Sequence, residues 1–411
     1  MNQKNAKTVT QELLRIPVLV AALGYFVDMY DLIIFSIVRV PSLKSLGVAG
    51  GKLLEDGLMM LNLQMAGMLI GGIFWGILGD KKGRLSVLFG SILIYSFANI
   101  ANGFVTSIGA YAAFRFIAGF GLAGELGAGI TLVTEVLPNK IRGYGSTLVA
   151  TLGVFGALLA YTVSLAFSWR ASYFIGGILG LILMFLRIRV FESGIFLSLK
   201  EKNIKRGDIR MLFTKHRLIK YLSSIVVGMP IWFVFGILIT FSPEYGKALG
   251  LDLPVDAGKA VLFTFTGQVA GNIITGFLSQ YFQKRKLVIL LFISGSFIFV
   301  LIYLLVPMQH TALFYILCAC LGFCSGYWTL FITVAAELFG SNLRATVATT
   351  VPNFVRGTVI PLTILFVFLK SRMGIIYGAL SVGLLTYGLA IGALYFLEET
   401  FQKDINYTEE N

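Results

Sequence analysis

Histidine is almost missing from this chain. Only two occur in 411 residues, His216 and His310. Both fall between apolar runs, which excludes an imidazole relay inside a membrane. Cysteine is nearly as scarce. Cys318, Cys320 and Cys324 sit together in one apolar segment, where they read as small buried hydrophobes and not as metal ligands or disulfide partners. Charge is the third deficit. Asp, Glu, Lys and Arg together make up 13% of the residues, too few to coat a water-soluble protein of this length. No metal-ligand cluster and no nucleophile–base pair stands out within the apolar runs. That disfavours an enzyme, so no catalytic residue, metal or cofactor is expected. The opening MNQKNAKTVTQELLR is polar and mildly basic, and the apolar stretch behind it is too long for a cleavable signal.

What the chain has in excess is apolar length. Hydrophobic residues make up 57% of it, and runs of about 20, enough to cross a ~30 Å hydrocarbon layer, recur from end to end. Spans are predicted at 16–38, 57–79, 85–104, 108–134, 146–167, 172–191, 219–242, 257–280, 287–307, 311–336, 346–369 and 374–397. The fold class is therefore an all-α polytopic membrane protein with twelve transmembrane helices in two six-helix bundles. The net charge of +13 reads as an orientation signal, and no nucleic-acid partner is expected. With both termini cytoplasmic, roughly 23 Lys and Arg lie on the cytoplasmic side and about 8 outside, as the positive-inside rule requires. The short loops suit a bacterial inner membrane, and a monomer in the lipid bilayer is the expected working unit. The one long loop, LKEKNIKRGDIRMLFTKHRLIK, divides the chain. Residues 1–192 are expected to form the first bundle, 193–218 a cytoplasmic central loop, and 219–411 the second bundle with a short tail.

The two halves echo each other. GILGDKKGR at 76–84 recurs in degraded form as GFLSQYFQK at 276–284, and TLVTEVLPNKIRG at 131–143 recurs as TVAAELFGSNLRA at 333–345. Glu135 then answers to Glu337 and Arg142 to Arg344. One six-helix unit used twice implies a site between the copies near the midplane, and alternating access by rocking one copy against the other.

Five ionisable residues stand well inside the spans: Asp28, Asp31, Arg115, Glu125 and Arg356. An acid at such depth costs a few kcal/mol, and GYFVDMYDL places two of them one turn apart. Asp31 lies roughly 22 Å into span one, and Arg115 roughly 10 Å below the opposite end of span four, so the two depths coincide. An Asp31–Arg115 ion pair is geometrically available. Gly24, Asp28, Asp31 and Phe35 form one stripe, which should turn inward while the rest of the helix faces lipid. Three acids against two bases leave one carboxylate without a partner. Desolvation disfavours its charged form, so it can load and release a proton. The alternative is that the acids only pin helices together. Arg356 has no acid at matching depth in its own half, and a forked contact to a substrate carboxylate or phosphate would satisfy it. A cross-bundle pair with Asp28 or Glu125 is the alternative. Thr264, Gln268, Asn272 and Thr275 form a second polar stripe, lining the same cavity or acting as interhelical glue. Asn353, Tyr327 and Trp328 complete the candidate substrate-binding set.

With these residues in view, the chain resembles the major facilitator superfamily over essentially its whole length. GILGDKKGRLSVL is similar to that superfamily's signature loop between helices two and three. The resemblance implies a cytoplasmic gate at Gly76, Asp80, Gly83 and Arg84, working with Glu135, Arg142, Glu337 and Arg344. Closer in, RFIAGFGLAGELGAGITLVTEVLPNKIRG at 115–143 resembles helix four of the metabolite:proton symporters. The helix-one aspartates and FESGIF at 191–196 point the same way. The resemblance assigns the buried arginine to Arg115, the acid to Glu125, and the helix-one acids to Asp28 and Asp31. The chain departs from the pattern at Ala123, where the family has a first Gly, and at Gly194, where it has Pro. Span one also resembles proton-coupled phosphate carriers, whose fourth helix has Asp in place of Glu125. The expected function is proton-coupled import of a small carboxylate, amino acid or betaine. Alternatives are phosphate import, drug or metabolite export by proton antiport, and a membrane sensor. The tail FQKDINYTEEN is too short for a sensor's output domain.

Overall fold

A computed structural model of the chain describes residues 12–82, 84–137, 141–191 and 214–401. Every regular element among the described residues is helical, because apolar runs in hydrocarbon must satisfy their backbone groups internally. The first half forms α1 (Ile16–Ser45), α2 (Lys52–Lys82), α3 (Arg84–Phe104), α4 (Ile108–Leu122), α5 (Glu125–Val136), α6 (Arg142–Ala166) and α7 (Trp169–Phe191). The second half forms α8 (Lys215–Phe233), α9 (Ser242–Leu249), α10 (Ala257–Phe282), α11 (Arg285–Leu305), α12 (Thr311–Cys324), α13 (Trp328–Glu337), α14 (Ser341–Gly357) and α15 (Val359–Phe396).

These helices make the twelve expected crossings. Span four is broken into α4 and α5. Span ten is broken into α12 and α13, with the 3-10 turn Ser325–Tyr327 between them. Span seven ends in a π turn at Val234–Ile239. Span eleven runs from α14 into the first part of α15, and the chain then reverses at Gly374, whose φ of 81° is the left-handed conformation that favours glycine. The near end of the molecule is the one where α1 begins and α2 turns into α3, and the far end lies opposite. At the far end Asp252 anchors the exposed loop after α9. Its carboxylate accepts from the Thr311 amide at 2.8 Å and hydroxyl at 2.6 Å, capping α12. Those hydrogen bonds hold Asp252 down to about 2.

The duplication read from the loops is built into the helix packing. A Cβ at Gly67 would strike the Phe116 carbonyl, one at Gly71 the Phe120 carbonyl, and one at Gly119 the Gln64 carbonyl. In the second half a Cβ at Gly267 would strike the Ala319 carbonyl, one at Gly271 the Phe323 carbonyl, and one at Gly322 the Thr264 carbonyl. The α2–α4 contact is thus repeated as the α10–α12 contact, backbone against backbone. Between the bundles α2 packs on α14 and α6 on α10. Around the outside, large apolar side chains such as Phe104, Leu165, Phe277 and Ile364 stand exposed, a surface suited to lipid and not to water.

The helix α1 corrects one expectation. Its Gly24–Asp28–Asp31–Phe35 stripe is buried, but past Leu23, which stands half exposed, the remaining faces do not look onto lipid either. All residues from Val27 to Arg39 are buried, because α1 lies among α5, α6, α7 and α10. An acid-bearing stripe announces one inward face and says nothing about a second.

Candidate functional site

The site is built on α1. Gly24 leaves the room in which the Glu125 carboxylate and the Arg187 guanidinium meet, and a Cβ there would collide with both. One turn on, Asp28 lies fully buried, and Asp31 follows against Gly176 of α7. The stripe therefore aligns three levels of charge over about 10 Å of helix.

Arg187 was not among the ionisable residues singled out in the sequence. It is fully buried, and its Nη1 donates to Glu125 Oε2 at 3.1 Å while Nη2 donates to Oε1. The central layer thus holds three acids and three bases, and the surplus of one carboxylate does not exist as a count. It survives as an inequality of pairing. Arg115 donates to Gln64 Oε1 and lies over the rings of Phe35 and Tyr173 at 5.1 and 5.6 Å. The available Asp31–Arg115 ion pair is not formed. Gln64, on the packed α2–α4 contact, reaches the guanidinium first. Neither Asp31 oxygen has a hydrogen-bond partner among the described residues. Asp31 is the least-compensated carboxylate of the layer.

Arg356 is buried between the bundles. Its Nη2 lies 3.7 Å from Asp28 Oδ2, a long ion pair without a hydrogen bond, and all three of its nitrogens lack a hydrogen-bond partner among the described residues. The guanidinium sits 5.7 Å from the Trp232 ring and 6.0 Å from the Trp328 ring. The indole of Trp328 donates to Tyr25 Oη at 3.3 Å. The result is a forked donor between aromatic walls, leaning on Asp28 and not clasped by it. On α10 the stripe of Thr264, Gln268, Asn272 and Thr275 is buried. Among the described residues, Gln268 Oε1 and both polar atoms of Asn272 have no partner, whereas Thr264 and Thr275 bond backbone carbonyls. Asn353 donates to the carbonyls of Ala123 at 2.8 Å and Thr349 at 2.9 Å, and keeps Oδ1 free among those residues. Tyr327 is otherwise engaged: its hydroxyl donates to the Val227 carbonyl at 3.0 Å and ties α8 to the 3-10 turn.

The break before Glu125 is local chemistry. Gly124 bonds back to Gly121, a 3-10 step, which frees the Phe120 carbonyl. The Trp75 indole donates to that carbonyl at 2.7 Å, and Asn353 caps Ala123 from the other bundle. A broken helix is tolerated at such depth when side chains satisfy the freed groups.

Contacts between the bundles close both sides of this layer. Toward the far end, Arg39 donates to Glu244 at 2.7 Å and Ser36 meets Thr240 at 2.9 Å. Toward the near end, Gly127 packs on Thr349, Gly72 on Asn353, and Gly76 lies near Thr350, 3.7 Å from where a Cβ would reach. Gly76 thus stands at the bundle interface. Glu337 pairs with Arg285 of its own half. The other gate expectations, Asp80, Gly83, Arg84, Glu135, Arg142 and Arg344, lie outside the residues whose side chains are described.

Sequence reasoning missed Arg187, Arg39, Trp232, and a buried polar stripe on α3. The signal for the stripe was present, since Ser91, Tyr95, Asn99 and Asn102 recur at helical spacing.

Comparison with known proteins agrees with this architecture. The profile of the Major Facilitator Superfamily matches residues 21–357. The chain is 26% identical over 399 residues to the probable 4-methylmuconolactone transporter of Cupriavidus pinatubonensis, covering 92% of this chain and 89% of that one. It is 26% identical to the niacin transporter NiaP of Acinetobacter baylyi over 79% of this chain and 80% of the relative. With the gentisate transporter of Corynebacterium glutamicum it shares 28% identity, over 78% and 73%. Among solved structures, the proton:xylose symporter XylE superposes with a TM-score of 0.71 at 17% identity, covering 95% of this chain and 97% of that one.

Proposed function

The chain belongs to the major facilitator superfamily, and from that membership we propose that it imports a small organic carboxylate together with a proton, by alternating access. The observation that carries the proposal is the state of Arg356: a buried forked donor near two indole rings, whose one ion pair among the described residues is a long contact to Asp28. A planar carboxylic acid fits both parts. Its carboxylate would take the guanidinium fork, and its body would lie against Trp232 and Trp328. The similar proteins are named for methylmuconolactone, niacin and gentisate, small unsaturated or aromatic acids and a lactone, which supports this class. Inorganic phosphate would use the fork and leave the aromatic walls without a partner.

Coupling follows from competition for one cation. When the substrate carboxylate binds Arg356, Asp28 loses its only close positive charge. A carboxylate buried without a partner is strongly disfavoured, so Asp28 is neutralised by a proton, and the loaded layer carries no added negative charge. On release of substrate and proton, Asp28 returns to Arg356. Asp31, Glu125 and Arg115 serve the proton's passage. The Lys and Arg bias makes the near end cytoplasmic in an inner membrane. The domain division at residues 193–218 then supplies two bundles that rock about the α2–α14 and α6–α10 contacts.

The test is uptake by purified protein in liposomes, using benzoate, nicotinate, gentisate, proline, betaine and phosphate with an imposed inward pH gradient. Concentrative uptake of an aromatic acid is expected, and phosphate is expected to be inert. Arg356→Lys loses the fork at a cost of about 2–5 kcal/mol, at least about thirtyfold in affinity. Asp28→Asn leaves Arg356 free, so it binds substrate at least as tightly and fails to accumulate it. Undiminished pH-driven accumulation by Asp28→Asn overturns this mechanism.

A further inference from the structure

The substrate side of the layer accounts for Asp28 and Arg356. It leaves unexplained a second set of buried polar groups, enclosed within the first bundle. On α3, Ser91, Tyr95, Asn99 and Asn102 are each fully buried and lie at i, i+4, i+8 and i+11, a single helix face. Among the described residues the Tyr95 hydroxyl and all four amide atoms of Asn99 and Asn102 have no hydrogen-bond partner. Such groups in an apolar interior are costly unless something polar meets them. Two asparagines and a tyrosine on one face, with hydrogen-bonding atoms left open among the described residues, are poor helix glue and a good lining for a file of water.

The position of the stripe says what it serves. Asn99 is the amide beside Asp31. Tyr95 packs against Gly121 of α4 and, beside the Ser96 hydroxyl, against Gly180 of α7. Glu125, Asp31, Arg187 and Asp28 lie within electrostatic reach of the Tyr95 hydroxyl. Tyr30, Tyr173 and Arg115 also lie within electrostatic reach of Asp31. At the near side, the Leu88 carbonyl accepts from both Ser91 and Arg187, each at 3.4 Å, so the stripe ends on the Glu125–Arg187 pair. From Asn102 to Ser91 it runs about 16 Å along α3. Asp31, the least-compensated carboxylate, lies partway along it. Glycines on α7 (Gly176, Gly177 and Gly180) hold α1 and α3 close against this column.

We infer that the face of α3 formed by Asn102, Asn99 and Tyr95 is the proton's own path, running inside the first bundle and separate from the substrate's cavity between the bundles. Asn102 and Asn99 orient water from the far end to Asp31. The Tyr95 hydroxyl joins Asp31 to Glu125: it accepts a proton from the Asp31 side as it gives its own to the Glu125 side, leaving the phenol unchanged. Arriving charge at Glu125 loosens its bonds to Arg187, and the proton leaves toward the near end. Proton and substrate therefore do not queue for one passage. They meet only where Asp31 and Asp28 share a helix turn. This inference rests on the proton-symport reading.

The test compares two readouts on the same liposomes: uptake driven by a pH gradient, with a trapped pH dye reporting proton entry, and counterflow of the same aromatic acid with no gradient. Tyr95→Phe and Asn99→Leu remove the path's hydrogen-bonding groups with little change in size. Each is expected to lower driven uptake and dye acidification at least about tenfold, while counterflow stays within a few fold. Asn99→Ser, which keeps a small polar group and room for water, restores coupling. Equal loss of driven uptake and counterflow in both variants, with lowered unfolding temperatures, would make the stripe structural and overturn the inference. So would unchanged dye acidification. If the wild type itself accumulates nothing under a pH gradient, the symport reading fails first and takes the path with it.

Discussion

Arg187 and Glu125 share two hydrogen bonds at a depth where neither reaches water. Such a pair contributes little against an apolar replacement, but removing one partner leaves the other charge buried and alone. Arg187→Gln is therefore expected to destabilise the protein by about 3–5 kcal/mol. Adding Glu125→Gln should recover most of that loss, since two neutral amides can bond each other. Thermal unfolding of the purified single and double variants in detergent checks this, and equal melting of the single variant and wild type contradicts it. Arg187 also marks where the sequence stops being legible. Asp28, Asp31, Arg115, Glu125 and Arg356 stand out because each interrupts an apolar run. Arg187, in LRIRVF, looks like one more flanking cation at the end of a span, and only helix rotation buries it. Depth arithmetic brought Asp31 and Arg115 to one level. It could not say that Gln64 would take the guanidinium, because level is set by counting residues and azimuth by packing.

At the scale of the helix, twelve crossings were readable from apolar length, and the repeat from two loop motifs. The breaks were not. Ala123-Gly124 and Ser325–Tyr327 sit inside unbroken apolar runs, and their carbonyls are satisfied by distant residues such as Trp75, Asn353 and Thr275. What fixes the helices beside those breaks is glycine. At Gly119 and Gly322 a methyl group would meet the backbone carbonyls of Gln64 and Thr264. A backbone oxygen, unlike the tip of a side chain, gives way only if the whole helix moves. Gly119→Ala and Gly322→Ala should each cost at least the ~1–3 kcal/mol typical of overpacking, and the two should be alike, because the contact is one contact used twice. Gly276→Ala is the control, since nothing lies within 4 Å of its added Cβ. Thermal unfolding of the three variants is the measurement. A Gly322→Ala protein as stable as Gly276→Ala would show that the second copy's packing is slack where the first is tight.

For the whole molecule, the consequence lies in where the bundles are latched. Arg39 is fully buried on α1. It donates to Glu244 at 2.7 Å and to the Leu53 carbonyl at 3.0 Å, and stacks 4.5 Å over the Phe241 ring. Glu244 keeps part of its surface in contact with solvent, so the pair can open without stranding the carboxylate. The guanidinium is the member that needs its partner. This asymmetry suits a latch: closed, it satisfies a buried cation, and open, it wets one carboxylate. At the near end the corresponding contacts are close packing, Gly127 on Thr349 and Gly72 on Asn353, with the Asn353–Ala123 bond between them. Neutralising Glu244 should thus loosen one end and leave the other as it is. A ligand-free protein that samples both directions would shift its population toward opening at the far end. With spin labels at Thr106 and Leu253, exposed positions on the far-end loops of the two bundles, Glu244→Gln is expected to lengthen the inter-label distance distribution measured by double electron–electron resonance. Driven uptake should fall while binding from the far side persists, because the step removed is closure and not recognition. An unchanged distribution would mean that the apolar contacts alone hold that end shut, and that Arg39 and Glu244 only satisfy one another.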